Sequence, residues 1–218
     1  MNSQIELIIF DLDGTLVDSG DTIFKSTVKT LEILNIKSDL KKEELDKRIG
    51  AHFVDIFDEL NIPVNDFEEF IAIYKKVYFD FIDDSFLYPG VADTLAVLSK
   101  RFKIGLLTTK AQEQADLIIE HFNLTKHFDY IMGRRNGMAI KPDPEPLLHI
   151  CKKLNITPAN SMMVGDSELD IRCGKNAGAF TTAVTYGYRK SEDLLNENPD
   201  YIIGSMKALE DVVFRIVI

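Results

Sequence analysis

Two aspartates two residues apart, Asp11 and Asp13, stand in the run Asp11-Leu12-Asp13-Gly14-Thr15-Leu16-Val17-Asp18. Such a pair could open a calcium loop, could cap a turn, or could do chemistry. Counted from Asp11, the glycine position of an EF-hand loop falls on Leu16 and its twelfth-position glutamate on Thr22, so the calcium loop fails. A mere turn cap gathers no support from the rest of the chain. Further polar residues follow apolar, β-branched runs: Thr108-Thr109-Lys110 after KIGLL, and Gly165-Asp166-Ser167-Glu168-Leu169-Asp170 after SMMV. Lys141 lies in Ile140-Lys141-Pro142-Asp143-Pro144-Glu145-Pro146, where the prolines stiffen the approach to the next helix. Taken alone, Lys141 reads as a solvated surface lysine. Taken beside three acidic or hydroxyl-bearing strand ends, it reads as part of a site.

Asp11, Asp13, Asp166 and Asp170 offer hard oxygen ligands without His or Cys, which suits magnesium better than zinc. Crowded carboxylates repel one another and need a cation to stay ionised together. A dication and Lys141 could then hold a doubly negative phosphate, with Thr108 donating a hydroxyl hydrogen bond. No GxxxxGK[ST] occurs, so nucleotide hydrolysis on a phosphate-cradling loop is not indicated.

The elements that must position these residues follow from the apolar pattern. Short runs at 6–10, 103–108, 129–132, 161–165, 181–184 and 201–203 read as strands. Between them, 93–101, 112–122, 144–154, 169–177 and 206–213 carry helical spacing. This alternation predicts a doubly wound α/β fold, a Rossmann-like parallel sheet covered on both faces, in which ligands bind outside the carboxyl ends of the strands. Residues 19–85 break the rhythm. Phe67, Phe70, Ile71, Tyr74, Val77, Tyr78 and Phe81 recur at steps of three and four, as do Ile23, Phe24, Val28, Leu31 and Leu34. We therefore expect an α/β core from residues 1–18 and 86–218 and an inserted all-helical cap over 19–85, with Leu87-Tyr88-Pro89-Gly90 as the return hinge.

Composition sets the outer bounds. The 218 residues are 45% hydrophobic and 28% charged, ordinary for a globular protein. With 25 Lys and Arg against 35 Asp and Glu, the net charge of −10 speaks against nucleic acid as a partner, and any anionic substrate must be drawn by local cations or a metal. The N-terminal apolar run is far below the roughly 18 residues of a membrane span, and no signal peptide is evident. Cys151 and Cys173 form no CxxC pair and read as buried thiols in a reducing, cytoplasmic setting.

Together, DLDGTLVDS, the hydroxyl of LLTTK, the lysine of KPDPEP and GDSELD resemble the phosphatase branch of the haloacid dehalogenase superfamily, in its order and spacing over nearly the whole chain. The resemblance implies that Asp11 is a nucleophile forming an aspartyl phosphate and that Asp13 is an acid/base, protonating the leaving oxygen and then activating water. It implies magnesium on the Asp11 carboxylate, the Asp13 main-chain carbonyl and Asp166, with Asp170 supporting the metal shell or Lys141. Thr108 and Lys141 resemble the phosphoryl-stabilising pair, and Gly14 leaves room for backbone approach to the phosphate. Asp at position 13 distinguishes the chain from dehalogenases. Thr109 stands where phosphoglycolate phosphatase-like relatives commonly carry Asn.

The expected substrate is a small phosphorylated metabolite similar to phosphoglycolate. Pyrophosphate hydrolysis, phosphosugar mutation and a non-catalytic, receiver-like phosphate-binding role are the alternatives, the last disfavoured because receivers place their acids on different strands. Arg48 and His52, in KRIGAHF, are candidate substrate contacts from the cap, and Arg134 and Arg135 could also face an anion. His121, His127 and His149 are read as structural.

Overall fold

The computed structural model describes residues 5–216. Its first strand, β1 (Leu7–Phe10), is the apolar run LIIF, every residue of which is buried. A second, two-residue strand follows, β2 (Val17–Asp18), and then the helices α1 (Gly20–Ile33), α2 (Lys42–Asp46), α3 (Phe53–Glu59) and α4 (Phe67–Asp80). Strand β3 (Phe86–Leu87) returns antiparallel to β2, pairing Val17 with Leu87 and Asp18 with Phe86. The rest alternates: α5 (Val91–Leu98), β4 (Lys103–Ala111), α6 (Gln112–His121), β5 (Tyr130–Arg134), α7 (Glu145–Leu154), β6 (Ser161–Gly165), α8 (Glu168–Ala177), β7 (Phe180–Val184), α9 (Ser191–Asn196), β8 (Tyr201–Ile203) and α10 (Ala208–Ile216).

Six strands form one parallel sheet in the order β5-β4-β1-β6-β7-β8. The chain steps outward from β1 to β5 and then crosses back to build the other half from β6. Connections therefore diverge between β1 and β6, which opens a crevice at their carboxyl ends. Ile8, Phe10, Ile104, Leu106, Met162 and Val164 join Leu95, Ile118 and Leu209 of α5, α6 and α10 in one core layer. Leu7, Ile9, Leu107 and Met163 point the opposite way and pack with Leu147, Ile150, Cys151 and Cys173 of α7 and α8. Period-two alternation divides the burial between two faces, which is why these strands read as nearly continuous apolar runs.

The helical stretch agrees with the apolar periodicity of α1 and α4. Phe53, Phe57, Phe70 and Tyr74 bind its helices together, the Phe57 and Phe70 rings meeting edge to face at 5.0 Å and 85°. The β2–β3 ribbon and α9 were not anticipated. Two-residue strands and a six-residue helix are too short to show a period. Strand β4 also runs beyond its expected end at Thr108. Between the pairs Leu107 with Met132 and Ala111 with Arg134, β4 spends two more residues than β5, so Thr108-Thr109-Lys110 bulges from the ladder at the sheet edge. Among the described residues no helix is long and apolar enough to cross a membrane.

Candidate active site

The carboxyl end of β1 delivers Asp11 into the crevice, its N–H donating to the Val164 carbonyl of β6 at 2.9 Å. Asp166, one residue beyond β6, and Asp170, in the first turn of α8, bring carboxylate oxygens that lie with Asp11 within 4.8 Å of one another. Lys141, from the loop before α7, reaches the same point. Its Nζ donates to Asp11 Oδ1 at 2.6 Å and to Asp170 Oδ1 at 2.5 Å. All four residues are at most 5% exposed.

The three acids are not equivalent. Asp170 has both oxygens engaged, since its Oδ2 accepts from the Ser167 N–H at 3.1 Å and from Ser167 Oγ at 2.6 Å. Its Oδ1 faces Lys141, and it remains one of the three carboxylates grouped closely enough to hold a metal ion. Asp166 accepts from the Tyr188 N–H at 2.7 Å. It is wedged between two glycines: a Cβ on Gly14, at φ +87°, or on Gly187 would come within 2.3 Å of Asp166 side-chain atoms. Gly14 thus makes room for a carboxylate as well as adopting a left-handed turn.

Burial pushes the Asp11 carboxyl well above the ordinary carboxylate range, opposed by Lys141 and reinforced by Asp170 and Asp166. Burial and then Asp170 push Asp166 up to about 7. On Lys141, burial works against the charge, but Asp11 and Asp170 outweigh it and raise its pKa. Three buried acids therefore share one lysine, a charge deficit that a metal cation fits. The available donors are all carboxylate oxygens, from Asp11, Asp166 and Asp170.

Asp13 sits apart from this cluster. Lys110 Nζ lies 3.2 Å from its Oδ1, to which Ser19 Oγ also donates, and the same ammonium stands 4.4 Å from the Tyr78 ring centroid. Burial opposes the Lys110 charge, yet Asp13 holds its pKa above the usual range. Sequence reading did not single out Lys110 or Ser19. The lysine adjoining the bulged threonines was the available signal; Ser19, an ordinary turn residue by position, gave none. Thr108 is 4% exposed, and its Oγ1 accepts from the Lys110 N–H at 3.2 Å.

A cavity of about 70 Å³ separates the helical stretch from this edge, with Asp13, Thr109, Lys110, His52, Gln114 and Arg134 among its lining residues. His52 caps α3, accepting from the Val54 N–H, and its Nε2 lies against Arg134 Nη1. Arg48 is placed elsewhere. It pairs with Glu59 at 2.9 Å and donates to the Glu44 carbonyl, so the geometry ties it to its neighbouring helices and not to the cavity. Arg135 likewise turns away, to Gln112 and Tyr130. His121, His127 and His149 face Asp83, Ser99 and Tyr130, away from the acids. Both cysteines are free and buried.

Comparison with known proteins points in one direction. Residues 8–184 match the family model for haloacid dehalogenase-like hydrolase. The pyrophosphatase PpaX of Halalkalibacterium halodurans is 34% identical over 214 residues, 96% of this chain and 97% of the relative. A haloacid dehalogenase-like family hydrolase from Streptococcus pneumoniae superposes with a TM-score of 0.87 at 26% identity, covering 97% of this chain and 99% of its own. A predicted phosphoglycolate phosphatase from Haemophilus somnus gives 0.81 at 26% identity, covering 96% and 98%.

Proposed function

The chain belongs to the haloacid dehalogenase-like hydrolases, and on that premise we propose that it is a magnesium-dependent phosphatase of small phosphorylated metabolites working through an aspartyl phosphate on Asp11. The observation that carries this reading is the separation of two aspartates into different environments. Asp11 shares Lys141 with Asp170, whereas Asp13 is held by Lys110 and Ser19. Paired carboxylates in unlike surroundings can divide nucleophilic from acid/base work.

In the first transfer, an Asp11 oxygen attacks phosphorus, the bond from phosphorus to the ester oxygen breaks, and Asp13 gives that oxygen its proton. In the second, Asp13 takes a proton from water, whose oxygen displaces Asp11 and releases phosphate. Lys141 and the Thr108 hydroxyl would hold phosphoryl oxygens. A magnesium ion on Asp11, the Asp13 main-chain carbonyl and Asp166 would supply positive charge against the developing negative charge of the phosphoryl group. Free, buried cysteines are consistent with a cytoplasmic setting.

Pyrophosphate hydrolysis is the second reading, favoured by the name of the Halalkalibacterium relative. Ranking kcat/KM over a panel of phosphate esters and pyrophosphate, with magnesium and with excess chelator, tests both. Full activity in chelator would refute the metal-dependent reading.

A further inference from the structure

The loop between β7 and α9 touches both linkers of the helical insertion. Tyr186 donates its hydroxyl to the Thr15 carbonyl at 3.0 Å, and its ring meets that of Tyr88, on the returning linker, at 4.8 Å between centroids. The Tyr188 hydroxyl accepts from the Ser19 N–H at 2.8 Å and donates to Asp18 Oδ1 at 3.1 Å, on the outgoing linker. The same loop is fixed to the acids, since the Tyr188 N–H donates to Asp166.

Arg189 reaches past the linkers. Its Nε donates to Glu168 Oε2 at 2.9 Å, and its Nη2 donates to the Ile49 carbonyl at 3.1 Å, 140 positions away and inside the insertion. The side chain is 10% exposed, so water competes little for this charge-assisted bond. Ile49 leads into Gly50-Ala51-His52, a turn that lines both the cavity at Asp13 and a second groove at Lys141. The turn therefore divides the two openings of the site, and Arg189 holds it from the core side. If the insertion lifts, the Ile49 carbonyl passes to water while Glu168 keeps the guanidinium paired. Neither position strands an ion, so the contact can be made and broken.

Resting on the phosphatase reading for its catalytic consequence, we propose that Arg189 is a positioning residue: braced by Glu168, it clasps the Ile49 carbonyl and seats the turn of residues 50–52 beside Asp13 and Lys141. It touches no reacting atom. The step it serves is the capture of substrate, which enters with the clasp open and is retained when the clasp forms. Loss of the clasp populates the open position, so substrate is held less tightly and KM rises. A merely structural role would instead lower the amount of folded enzyme, reducing kcat at constant KM.

The test uses the full chain carrying nitroxide labels on Asp58→Cys in α3 and Lys152→Cys in α7, both exposed positions, the two native cysteines being buried. Without substrate or metal, the label-to-label distances measured by pulsed EPR should be narrowly distributed with Arg189 present and should spread to longer values in Arg189→Met. Arg189→Lys keeps a charge for Glu168 but lacks the planar fork that bridges two acceptors, so it should spread them less. That variant also guards against a methionine variant that does not fold. On unlabelled protein with magnesium and 4-nitrophenyl phosphate, Arg189→Met should raise KM about 10-fold, the scale of one charge-assisted hydrogen bond, with a smaller change in kcat. Adding Glu168→Gln to Arg189→Met should change KM by less than about twofold more, because the two residues act as one unit. Unchanged distances, an unchanged KM, or additive effects of the two substitutions on KM would overturn the proposal. Failure of the unsubstituted chain to hydrolyse 4-nitrophenyl phosphate or any ester of the panel would instead overturn the phosphatase reading, and the distances would still judge the clasp.

Discussion

Lys141 sets its ammonium 2.6 Å from Asp11, a residue 130 positions earlier, with both side chains at most 7% exposed. It also reaches Asp170 at 2.5 Å, so a single lysine pairs with acids from two distant segments, one after β1 and one in α8. Lys141→Met should leave these buried carboxylates uncompensated, a loss of about 3–5 kcal/mol. The loss should be larger at pH 8 than at pH 5, because burial raises the pKa of Asp11 and lets it protonate as the pH falls. Urea denaturation at the two pH values measures it; equal losses would mean the pair contributes little.

The raised carboxyl pKa values give a second expectation. A carboxyl whose folded pKa lies above its unfolded value keeps its proton longer when folded, so stability is lost as pH rises between the two values. For Asp166 that window runs from the ordinary carboxylate value of 3.8 to about 7, and Asp11 shifts in the same direction. Magnesium replaces those protons with its own charge. The Tm gain on adding magnesium should therefore be greater at pH 8 than at pH 5.5, and thermal melts with and without the ion at both pH values check this. A gain independent of pH would place the ion elsewhere.

The two aspartates should respond differently to amidation. Asp11→Asn should give neither turnover nor covalent adduct with any substrate, because the attacking oxygen is gone. Asp13→Asn should release one burst of nitrophenolate from 4-nitrophenyl phosphate, whose leaving group needs no proton, and then stall with phosphate on Asp11. Intact-mass analysis after brief mixing distinguishes them. An adduct on Asp11→Asn, or a phosphopeptide mapping elsewhere than Asp11, would overturn the nucleophile assignment.

Arg48 supplies a contrasting case. Its half-exposed pairing with Glu59 puts Arg48→Ala at about 1 kcal/mol of stability or less. Its kcat/KM for a carboxylate-bearing ester relative to 4-nitrophenyl phosphate should stay within about twofold, well short of the effect of a lost charge-assisted contact. A large selective loss for the carboxylate ester would return Arg48 to the substrate site.

The apolar runs determined the order and type of the sheet strands, because a strand buried on both faces must be apolar throughout and must end where polar residues begin. Asp11, Thr108, Lys141 and Asp166 were legible for that reason: in a parallel sheet, residues following the strands converge on one edge whatever their separation in sequence. The helical insertion was legible from period alone. What the tertiary structure decided was the partnership of each polar atom. Both Arg48 and Arg134 are arginines beside plausible turns, yet one meets Glu59 and the other faces the cavity. Lys110 found Asp13 through a bulge that no period encodes, and Asp166 is held by a backbone N–H and two glycines from distant loops. Gln114 looks like any polar helix residue until packing removes its solvent. Burial patterns repeat along the chain and can be read there, whereas pairing depends on distances between segments that only the folded packing brings together.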